Sequence, residues 1–356
     1  RDRSPSRGLG DVYKRQGIGS NGKICDIIRE ILLDKQAVCS YGAKTELSME
    51  GGRIISTEPF YAYIKIAEGC SNNCTYCAIP SIRGKYRSRR MEDIVKEARW
   101  LAENGVTELV VVAQDTTRYG EDIYGKSMLP ELLTALCEID GFKWIRTLYC
   151  YPERITDELL EVIAKEDKLV KYLDMPIQHC NKTILKRMNR HGDRETLTAL
   201  IKKIREKIPN VTLRTTLITG FPGETEEQFE ELCEFVKEIR FERLGCFAYS
   251  PEEGTPAEKF EDQVPLKDRE RRAEIIMEEQ MIISDSLNEA ALDSEVEVVC
   301  EGFDRYAECY YGRSQADAPE IDGKIFFLSE DKVRVGEYVK VKIDDTMDYD
   351  LIGSKM

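Results

Sequence analysis

The sequence lacks long hydrophobic runs and is poor in histidine. Histidine occurs twice among 356 residues, and the longest apolar run near the cysteine-rich segment described below is residues 109–113. A membrane-spanning helix needs about 20 apolar residues, so none is predicted. The first residues contain no apolar stretch of the kind found in secretory signal peptides. These absences exclude membrane and secreted classes and predict a globular protein of the cytoplasm.

Twelve cysteines are present, but their arrangement does not favour disulfide bonds. In a cytoplasmic chain of this size, metal binding and burial are the commoner uses of cysteine. Cys70, Cys74 and Cys77 lie close together, and neither a fourth cysteine nor a histidine is near them in the sequence. A structural zinc ion takes four protein ligands. A four-iron cluster held by three cysteines keeps one iron open, so this pattern predicts an iron–sulfur centre that performs chemistry.

The hydrophobic pattern alternates between strand-like and helix-like segments. An amphipathic helix is predicted at 23–33 and a strand at 61–66, both ahead of the cysteines. The later strands are predicted at 107–113, 144–149, 170–174, 211–218 and 243–249. The helices that alternate with them are predicted at 91–104, 128–139, 156–166, 193–207 and 224–239. Six β/α units predict an α/β fold, with a parallel sheet partly closed into a TIM-like (β/α)6 barrel.

A different pattern follows a long charged helix predicted at 266–290. Short alternating strands are predicted there at 295–301, 306–311, 324–328 and 336–343. This pattern is typical of a small antiparallel β-barrel. Residues 285–356 contain 18 acidic and 8 basic residues, a net charge of −10. Such a domain repels phosphate backbones and suits a basic partner, although a surface that only aids solubility accounts for the charge equally well.

Polar residues or glycine follow several of the predicted barrel strands. In a β/α barrel, the carboxyl ends of the strands form the active face. The residues found at these ends are Gln114, Asp115, Gln178, His179, Gly220, Tyr249 and Ser250. Each one alone is compatible with ordinary loop structure. Their shared position nevertheless predicts a binding site at this end of the barrel.

The spacing of Cys70, Cys74 and Cys77, with Tyr76 at the aromatic position, resembles the signature of radical S-adenosylmethionine (SAM) enzymes. The resemblance implies that the cysteines bind three irons of a 4Fe–4S cluster. It also implies that the amino and carboxylate groups of SAM chelate the fourth iron. One electron from the cluster then splits SAM and yields a 5′-deoxyadenosyl radical.

The resemblance also implies cofactor-binding roles for residues outside the cysteine motif. Gln114 and Asp115 take the place of the motif that binds the amino group of SAM. Leu217, Ile218 and Gly220 take the place of the segment that packs on adenine. Tyr76 and Gln178 complete the predicted cofactor-binding set.

Longer stretches narrow the resemblance to methylthiotransferases, over about residues 17–356. The segments similar to the group as a whole are 77–89, 185–190 and 220–225. Those similar to its RimO branch are 113–120, 176–179 and 312–323. RimO enzymes add a methylthio group to the β-carbon of an aspartate in the small-subunit ribosomal protein S12. The resemblance therefore implies a basic protein substrate and an electron donor such as flavodoxin or ferredoxin.

The same resemblance divides the chain into domains. Residues 17–55 are predicted to be the remnant of an N-terminal methylthiotransferase domain, and residues 56–286 the radical SAM barrel. Residues 287–356 resemble a TRAM domain, a β-barrel used for substrate recognition. Residues 1–16 show no periodicity and are predicted to be a disordered, non-native leader.

Methylthiotransferases carry three further cysteines, which bind a second cluster that delivers sulfur. Only Cys25 and Cys39 precede the motif in this chain. Cys25 is predicted to lie on the apolar face of its helix, where a free cysteine is usually buried. We therefore expect one cluster in this chain, and SAM cleavage without sulfur insertion.

Two other functions remain open at this point. One is a transfer-RNA adenosine methylthiotransferase, the sister branch of the family. An RNA-binding barrel is expected to be basic, so the acidic terminal domain favours a protein substrate over a nucleic acid. The other is a non-catalytic iron–sulfur electron carrier or zinc-binding module, which needs a further protein ligand near the three cysteines.

Four basic or titratable residues are further candidates. His179 is a candidate acid–base group because of its position in a strand-end loop. Arg83, Arg87 and Arg89 follow the cysteines and are predicted either to clamp a carboxylate or to lie in a solvated loop.

Overall fold

The N-terminal part of the chain forms a small layer of one helix and two short strands. The structure is a computed structural model that describes residues 14–16, 18–34, 38–46 and 49–356. Strand β1 (Lys14–Gln16) pairs in parallel with β2 (Val38–Ser40), and helix α1 (Ile24–Asp34) lies between them in the sequence. The predicted disordered leader therefore differs from the structure at residues 14–16, while residues 1–13 lie outside the described residues.

Helix α1 buries a face that does not include its cysteine. Ile27 and Ile31, one turn apart, are buried, whereas Cys25 is exposed. The prediction that Cys25 is buried is therefore wrong, because the buried face of α1 passes through positions 27 and 31. Cys39 is exposed as well.

The next region contains six parallel strands that alternate with helices, together with two short antiparallel strands. Its strands are β3 (Tyr61–Lys65), β4 (Ala67–Glu68), β5 (Arg87–Ser88), β6 (Glu108–Val112), β7 (Trp144–Thr147), β8 (Tyr172–Asp174), β9 (Thr212–Thr219) and β10 (Arg243–Ala248). Its helices are α2 (Ile79–Arg83), α3 (Met91–Glu103), α4 (Glu121–Tyr124), α5 (Leu129–Cys137), α6 (Asp157–Lys165), α7 (Lys182–Arg187), α8 (Arg194–Lys207), α9 (Glu226–Ile239) and α10 (Leu266–Glu289). The five predicted β/α helices all form, and the unpredicted α2, α4 and α7 are short.

The six parallel strands form two three-stranded sheets. Strands β3, β6 and β7 pair side by side, as do β8, β9 and β10. A bridge between Ile145 and Leu169 joins the two halves. The partial (β/α)6 barrel predicted from the sequence is thereby confirmed, with β3 and β10 as its edges. The two remaining strands, β4 and β5, form an antiparallel ribbon beside the cysteine motif.

Helix starts in the barrel follow from local side-chain chemistry. Thr225 precedes α9, and its hydroxyl accepts a hydrogen bond from the Gln228 amide. The Gln228 side chain accepts one from the Thr225 amide in return, at 3.0 Å. This is the capping box that the sequence predicts. Within the described residues, no helix is long and apolar enough to span a lipid bilayer.

The C-terminal residues form a closed five-stranded barrel. Its strands are β11 (Glu295–Asp304), β12 (Cys309–Arg313), β13 (Ile325–Leu328), β14 (Tyr338–Met347) and β15 (Asp350–Lys355). Four of them were predicted, and β15 was missed because its six residues include three polar ones and a glycine. Closure requires β15, which lies between β13 and β14 in the barrel.

The loop between β12 and β13 of the terminal barrel enters the amino end of the (β/α)6 barrel. Arg313, which starts this loop, donates to Glu108 at 2.7 Å, and Glu108 is the first residue of β6. Farther along, Asp317 pairs with Arg243, the first residue of β10, at 2.7 Å. We call residues 313–322 the plug loop. It closes the end of the barrel opposite the strand ends at which the active site was predicted.

Candidate active site

A cavity of about 460 Å³ opens at the carboxyl ends of the barrel strands. It contains all three motif cysteines, so the chain brings together the residues that the sequence singled out. The lining residues are Cys70, Cys74, Tyr76, Cys77, Ile79, Ala113, Gln114, Tyr149, Cys150, Tyr151, Pro176, Gln178, Arg190 and Thr216. Six of the ten predicted site residues are in this set. The other four, Asp115, Leu217, Ile218 and Gly220, are not.

The cysteine loop leaves β4 through a glycine that no other residue can replace without strain. Gly69 has a φ of +77°, a conformation that favours glycine. A Cβ atom at this position would lie 2.3 Å from the carbonyl oxygen of Lys85. This close approach lets the Cys70 amide donate to the Gly84 carbonyl at 3.1 Å. The loop is therefore fastened to the segment between α2 and β5.

We expect Gly69→Ala to abolish cluster binding, because the new methyl group displaces the segment that carries Cys70 from the Lys85 carbonyl. The measurement is iron content after anaerobic reconstitution. Gly125→Ala is the matched control, since Gly125 has the same φ of +77° but open space around its Cβ position. The control should retain wild-type iron and lose only about 1 kcal/mol of stability. Equal iron in both variants would contradict this account of the loop.

A second fastening comes from Asp115, which lies behind the cavity wall. Asp115 is fully buried, and its carboxylate accepts hydrogen bonds from Asn72 at 2.8 Å and Thr117 at 2.6 Å. Asn72 belongs to the cysteine loop, and its side-chain oxygen accepts from Arg118 at 2.9 Å. The structure therefore places Asp115 under the loop, where it positions the cysteines. Its predicted role toward the cofactor stays a prediction, because Asp115 does not line the cavity and both of its carboxylate oxygens accept hydrogen bonds from this chain.

The turn after α7 supports the loop from the other side. The Asn189 side-chain amide donates to the carbonyls of Asn72 and Asn73, at 3.1 and 3.0 Å. The Thr75 amide donates to the Met188 carbonyl at 3.0 Å. These contacts give a structural reason for the 185–190 stretch noticed in the sequence. The cysteine loop is held in shape before any cofactor binds.

The cavity has the donor set that a 4Fe–4S cluster and SAM require. Cys70 and Cys77 are half-buried and Cys74 is buried, all on one wall. Gln114 presents a buried side-chain oxygen that has no hydrogen-bond partner in the part of the chain that the structure describes. A buried unpaired acceptor is costly unless a ligand supplies a donor. The amino group of SAM is such a donor, so the residues present fit both groups.

The four ligands of a structural zinc ion lie close to each other, at about 2.3 Å from the ion for a thiolate sulfur. Across residues 18–34, 38–46 and 49–356, no three histidine, cysteine or acidic side chains are grouped tightly enough to hold one metal ion.

A fourth thiol, Cys150, lines the same cavity, although the sequence places it far from the motif. Cys150 is fully buried, and burial raises the pKa of its thiol to about 12. Its sulfur lies 3.5 Å from the Thr116 hydroxyl. Besides burial, the charges of Cys74 and Cys77 raise the pKa of Cys70. The pKa of Cys150 is raised by burial and then by the charges of Asp174 and Asp115. Cys150 thus packs as a buried thiol beside the three motif cysteines.

Comparisons with known proteins agree with the geometry. Family models for the radical SAM superfamily and for the TRAM domain match residues 64–236 and 294–355. The ribosomal protein uS12 methylthiotransferase RimO of Clostridium tetani is 49% identical over 347 residues, which are 97% of this chain and 77% of that relative. The RimO of Clostridioides difficile is 50% identical over 337 residues, 95% of this chain and 76% of the relative.

The chain belongs to the RimO family. Among solved structures, the radical SAM methyltransferase TsrM from Kitasatospora setae, with tryptophan substrate and a SAM analogue bound, resembles it with a TM-score of 0.50. The identity is 15%, over 67% of this chain and 52% of TsrM. That likeness concerns the fold alone.

Three residues that the radical SAM resemblance assigned to adenine packing are not among the residues that line the cavity. Leu217 is fully buried in the core between the sheet and its helices. Ile218 packs with Tyr76 against a separate apolar cluster around Phe221. Gly220 faces the Arg269 side chain, whose Cγ would be 2.4 Å from a Cβ at this position. Because none of the three residues lines the cavity, their role in binding adenine stays a prediction.

Several residues that line the cavity were not predicted from the sequence of this RimO-family chain. Tyr149 and Tyr151 lie just after the end of β7, a strand end for which no site residue was predicted. Tyr149 has a φ of +62°, and its amide donates to the Asp174 carboxylate at 2.9 Å. Arg190 comes from the turn after α7. The two tyrosines could have been predicted, because polar residues at the carboxyl ends of barrel strands indicate the active face. Arg190 could not be predicted in this way, because it does not lie at a strand end.

His179 points away from the cavity that its neighbour Gln178 lines. The imidazole is fully buried, and burial lowers its pKa to about 3. Its Nδ1 accepts a hydrogen bond from the Asn181 amide at 2.9 Å. Burial raises the pKa of nearby Glu224 to about 7, and Glu224 pairs with Arg272 at 2.9 Å. The proposed acid–base role of His179 does not fit this neutral, enclosed side chain.

The arginines after the motif lie outside the cavity, and one of them clamps a carboxylate as predicted, since Arg89 Nε and Nη2 donate to the two carboxylate oxygens of Glu50. Arg89 is buried and pairs with Glu50 at 2.6 Å and Glu97 at 2.7 Å. Arg87 donates to backbone carbonyls of residues 44 and 45. Arg83 lies 3.6 Å from the buried Glu68 carboxylate. Together they fasten the segment before the barrel to the barrel itself.

Proposed function

We propose that this chain is a radical SAM methylthiotransferase that adds a methylthio group to the β-carbon of an aspartate in ribosomal protein uS12. The observation that carries the proposal is the meeting of Cys70, Cys74 and Cys77 with the unpaired Gln114 oxygen in one cavity. The RimO relatives, named for uS12, support the choice of substrate.

In the proposed enzyme, the three cysteines hold the 4Fe–4S cluster and Gln114 accepts a hydrogen bond from the amino group of SAM. A cluster held by these cysteines would supply the electron for the cleavage of SAM into methionine and a 5′-deoxyadenosyl radical. The chain's own residues hold the cysteine loop rigid through Asn72 and Asp115. The aromatic and aliphatic side chains around the cavity exclude water, which protects a reactive species from side reactions.

The terminal barrel suits a basic protein substrate. Residues 285–356 have a net charge of −10, and ribosomal proteins are generally basic, so the charges attract. The same charge repels transfer RNA. We place the reaction in the cytoplasm, where the small ribosomal subunit is made, and expect a low-potential donor such as flavodoxin or ferredoxin to reduce the cluster.

The test combines the reconstituted chain with SAM, dithionite and uS12. We expect 5′-deoxyadenosine to form and to require SAM and reductant. Mass spectrometry of uS12 then tests the second half of the reaction. A methylthio group on an aspartate would establish sulfur insertion, whereas SAM cleavage with unmodified uS12 is the result expected if Cys25 and Cys39, the only cysteines before the motif, do not bind the sulfur-delivering cluster. Gln114→Ala should raise the KM for SAM by roughly tenfold, because one hydrogen bond from the SAM amino group to a buried acceptor is lost.

Parallel reactions with transfer RNA separate the sister activity. If transfer RNA is modified and uS12 is not, the substrate of this enzyme is RNA and not a protein. Absence of 5′-deoxyadenosine from a preparation with a full cluster would contradict the enzymatic proposal as a whole and return the iron–sulfur carrier to first place.

A further inference from the structure

Tyr151 contacts one of the motif cysteines directly. Its hydroxyl oxygen lies 2.7 Å from Cys74 Sγ, a hydrogen-bond distance between residues 77 positions apart in the sequence. A cysteine that binds iron does so as a thiolate and has no proton to donate. A tyrosine hydroxyl remains protonated near neutral pH. In the cluster-bound chain, Tyr151 is therefore the donor and the Cys74 sulfur is the acceptor.

Arg190 fixes the Tyr151 ring in place. The guanidinium carbon lies 3.9 Å from the centre of this ring, a cation–π stack. The same guanidinium donates to the Pro176 carbonyl at 3.0 Å and to the Tyr76 hydroxyl at 3.4 Å. Its acidic neighbour, Glu153, is 4.0 Å away. Because Arg190 is only 5% exposed, its positive charge acts through protein more than through water.

We propose that Tyr151, held in place by Arg190, donates a hydrogen bond to the Cys74 sulfur and thereby makes the 4Fe–4S cluster easier to reduce. Reduction adds one electron from a low-potential donor, dithionite in the test, and neither forms nor breaks a bond in the protein. The added electron makes the cluster and its sulfurs more negative. A donor at the sulfur and a cation beyond it stabilise that state more than the oxidised one. The inference rests on the proposed function, since it needs the cluster at the motif.

The test is a redox titration of the reconstituted cluster, followed by the electron paramagnetic resonance signal of its reduced form. Tyr151→Phe removes the hydroxyl and keeps the ring on which Arg190 stacks. We expect reduction to become about tenfold less favourable, a shift of about −59 mV for one electron. Tyr149→Phe is the matched control, because it removes a hydroxyl from a 40% exposed tyrosine of the same cavity and should leave the potential unchanged.

Arg190 variants provide a second readout. Arg190→Gln removes both the charge and the cation–π stack that holds Tyr151, and it should also lower the potential, whereas Arg190→Lys keeps the charge and should restore part of the difference. Wild-type potentials in both Tyr151→Phe and Arg190→Gln, with the cluster present, would overturn the inference and leave the proposed function intact. Failure of the unmodified chain to assemble a cluster would instead overturn the proposed function.

Discussion

Replacing Cys74 by alanine is expected to reduce the iron bound by the reconstituted chain from about four atoms to nearly none. Cys74 is the buried member of the three motif thiols, and each of them holds a different iron in the proposed cluster. Two thiols leave a second iron open to water, where the cluster is readily lost. Iron quantitation and the visible absorption of the cluster measure the result, and formation of 5′-deoxyadenosine should disappear with the iron.

Cys150→Ala is the control for this prediction. Cys150 lines the same cavity and is fully buried, but it stands outside the cysteine motif, and its sulfur lies 3.5 Å from the Thr116 hydroxyl. The variant should bind about four irons, like the wild type. A loss of iron as large as that of Cys74→Ala would show that Cys150 is a ligand. All four irons would then be held by protein, a result that favours an electron carrier.

Glu108→Gln should lower the free energy of unfolding by about 3–5 kcal/mol. The Glu108 carboxylate is fully buried between Arg146 at 3.0 Å and Arg313 at 2.7 Å. Burial alone would raise the pKa of Glu108, but the two guanidinium groups lower it overall, so the carboxylate is ionised. Glu108→Gln removes the negative charge between two guanidinium groups. Arg146 and Arg313 then stay buried at the junction of the two barrels without the carboxylate that neutralised them.

The measurement is urea unfolding followed by the fluorescence of Trp144. This indole is buried at the same junction and packs edge-on to Tyr338 of the terminal barrel, at 4.8 Å between ring centres. Glu297→Gln is the control, because Glu297 pairs with Lys143 across the two barrels in a partly exposed position. It should cost less than about 1 kcal/mol. Equal effects of the two variants would show that the buried pair is not what joins the barrels.

The low pKa of Glu108 also sets the sign of a pH effect. A carboxyl group with a lower pKa in the folded state stabilises the fold above its unfolded pKa, and this contribution is lost as the pH falls through the folded pKa. The difference between wild type and Glu108→Gln should therefore be full at neutral pH and shrink in acid.

The sequence predicted the barrels because their periodicities are local. Apolar residues that face the core recur every two residues in strands and every three to four in helices, whatever the partner. Predicted helix 193–207 and observed α8, Arg194–Lys207, therefore agree closely. Strand β15 was missed because its place depends on pairing with both β13 and β14. Its own residues give little sign of that pairing.

The plug loop shows a different limit. Residues 312–323 stood out in the sequence as similar to the RimO branch, but their pattern does not reveal where they lie. In the fold, this stretch enters the amino end of the (β/α)6 barrel, and Asp322 accepts a hydrogen bond from Tyr172 at 2.6 Å. Buried ion pairs between residues about two hundred positions apart, such as Glu108 with Arg313, leave no periodic trace.

What the sequence determined by itself is the cysteine motif. Cys70, Cys74 and Cys77 are close in the chain, so their spacing alone limits which metal centre they can form. What only the tertiary structure decided is the surroundings of the motif: Tyr151 against Cys74, Arg190 over Tyr151, and Cys150 in the same cavity. These contacts arise because parallel strands bring their carboxyl ends to one edge of the barrel, whatever the distance along the chain between them.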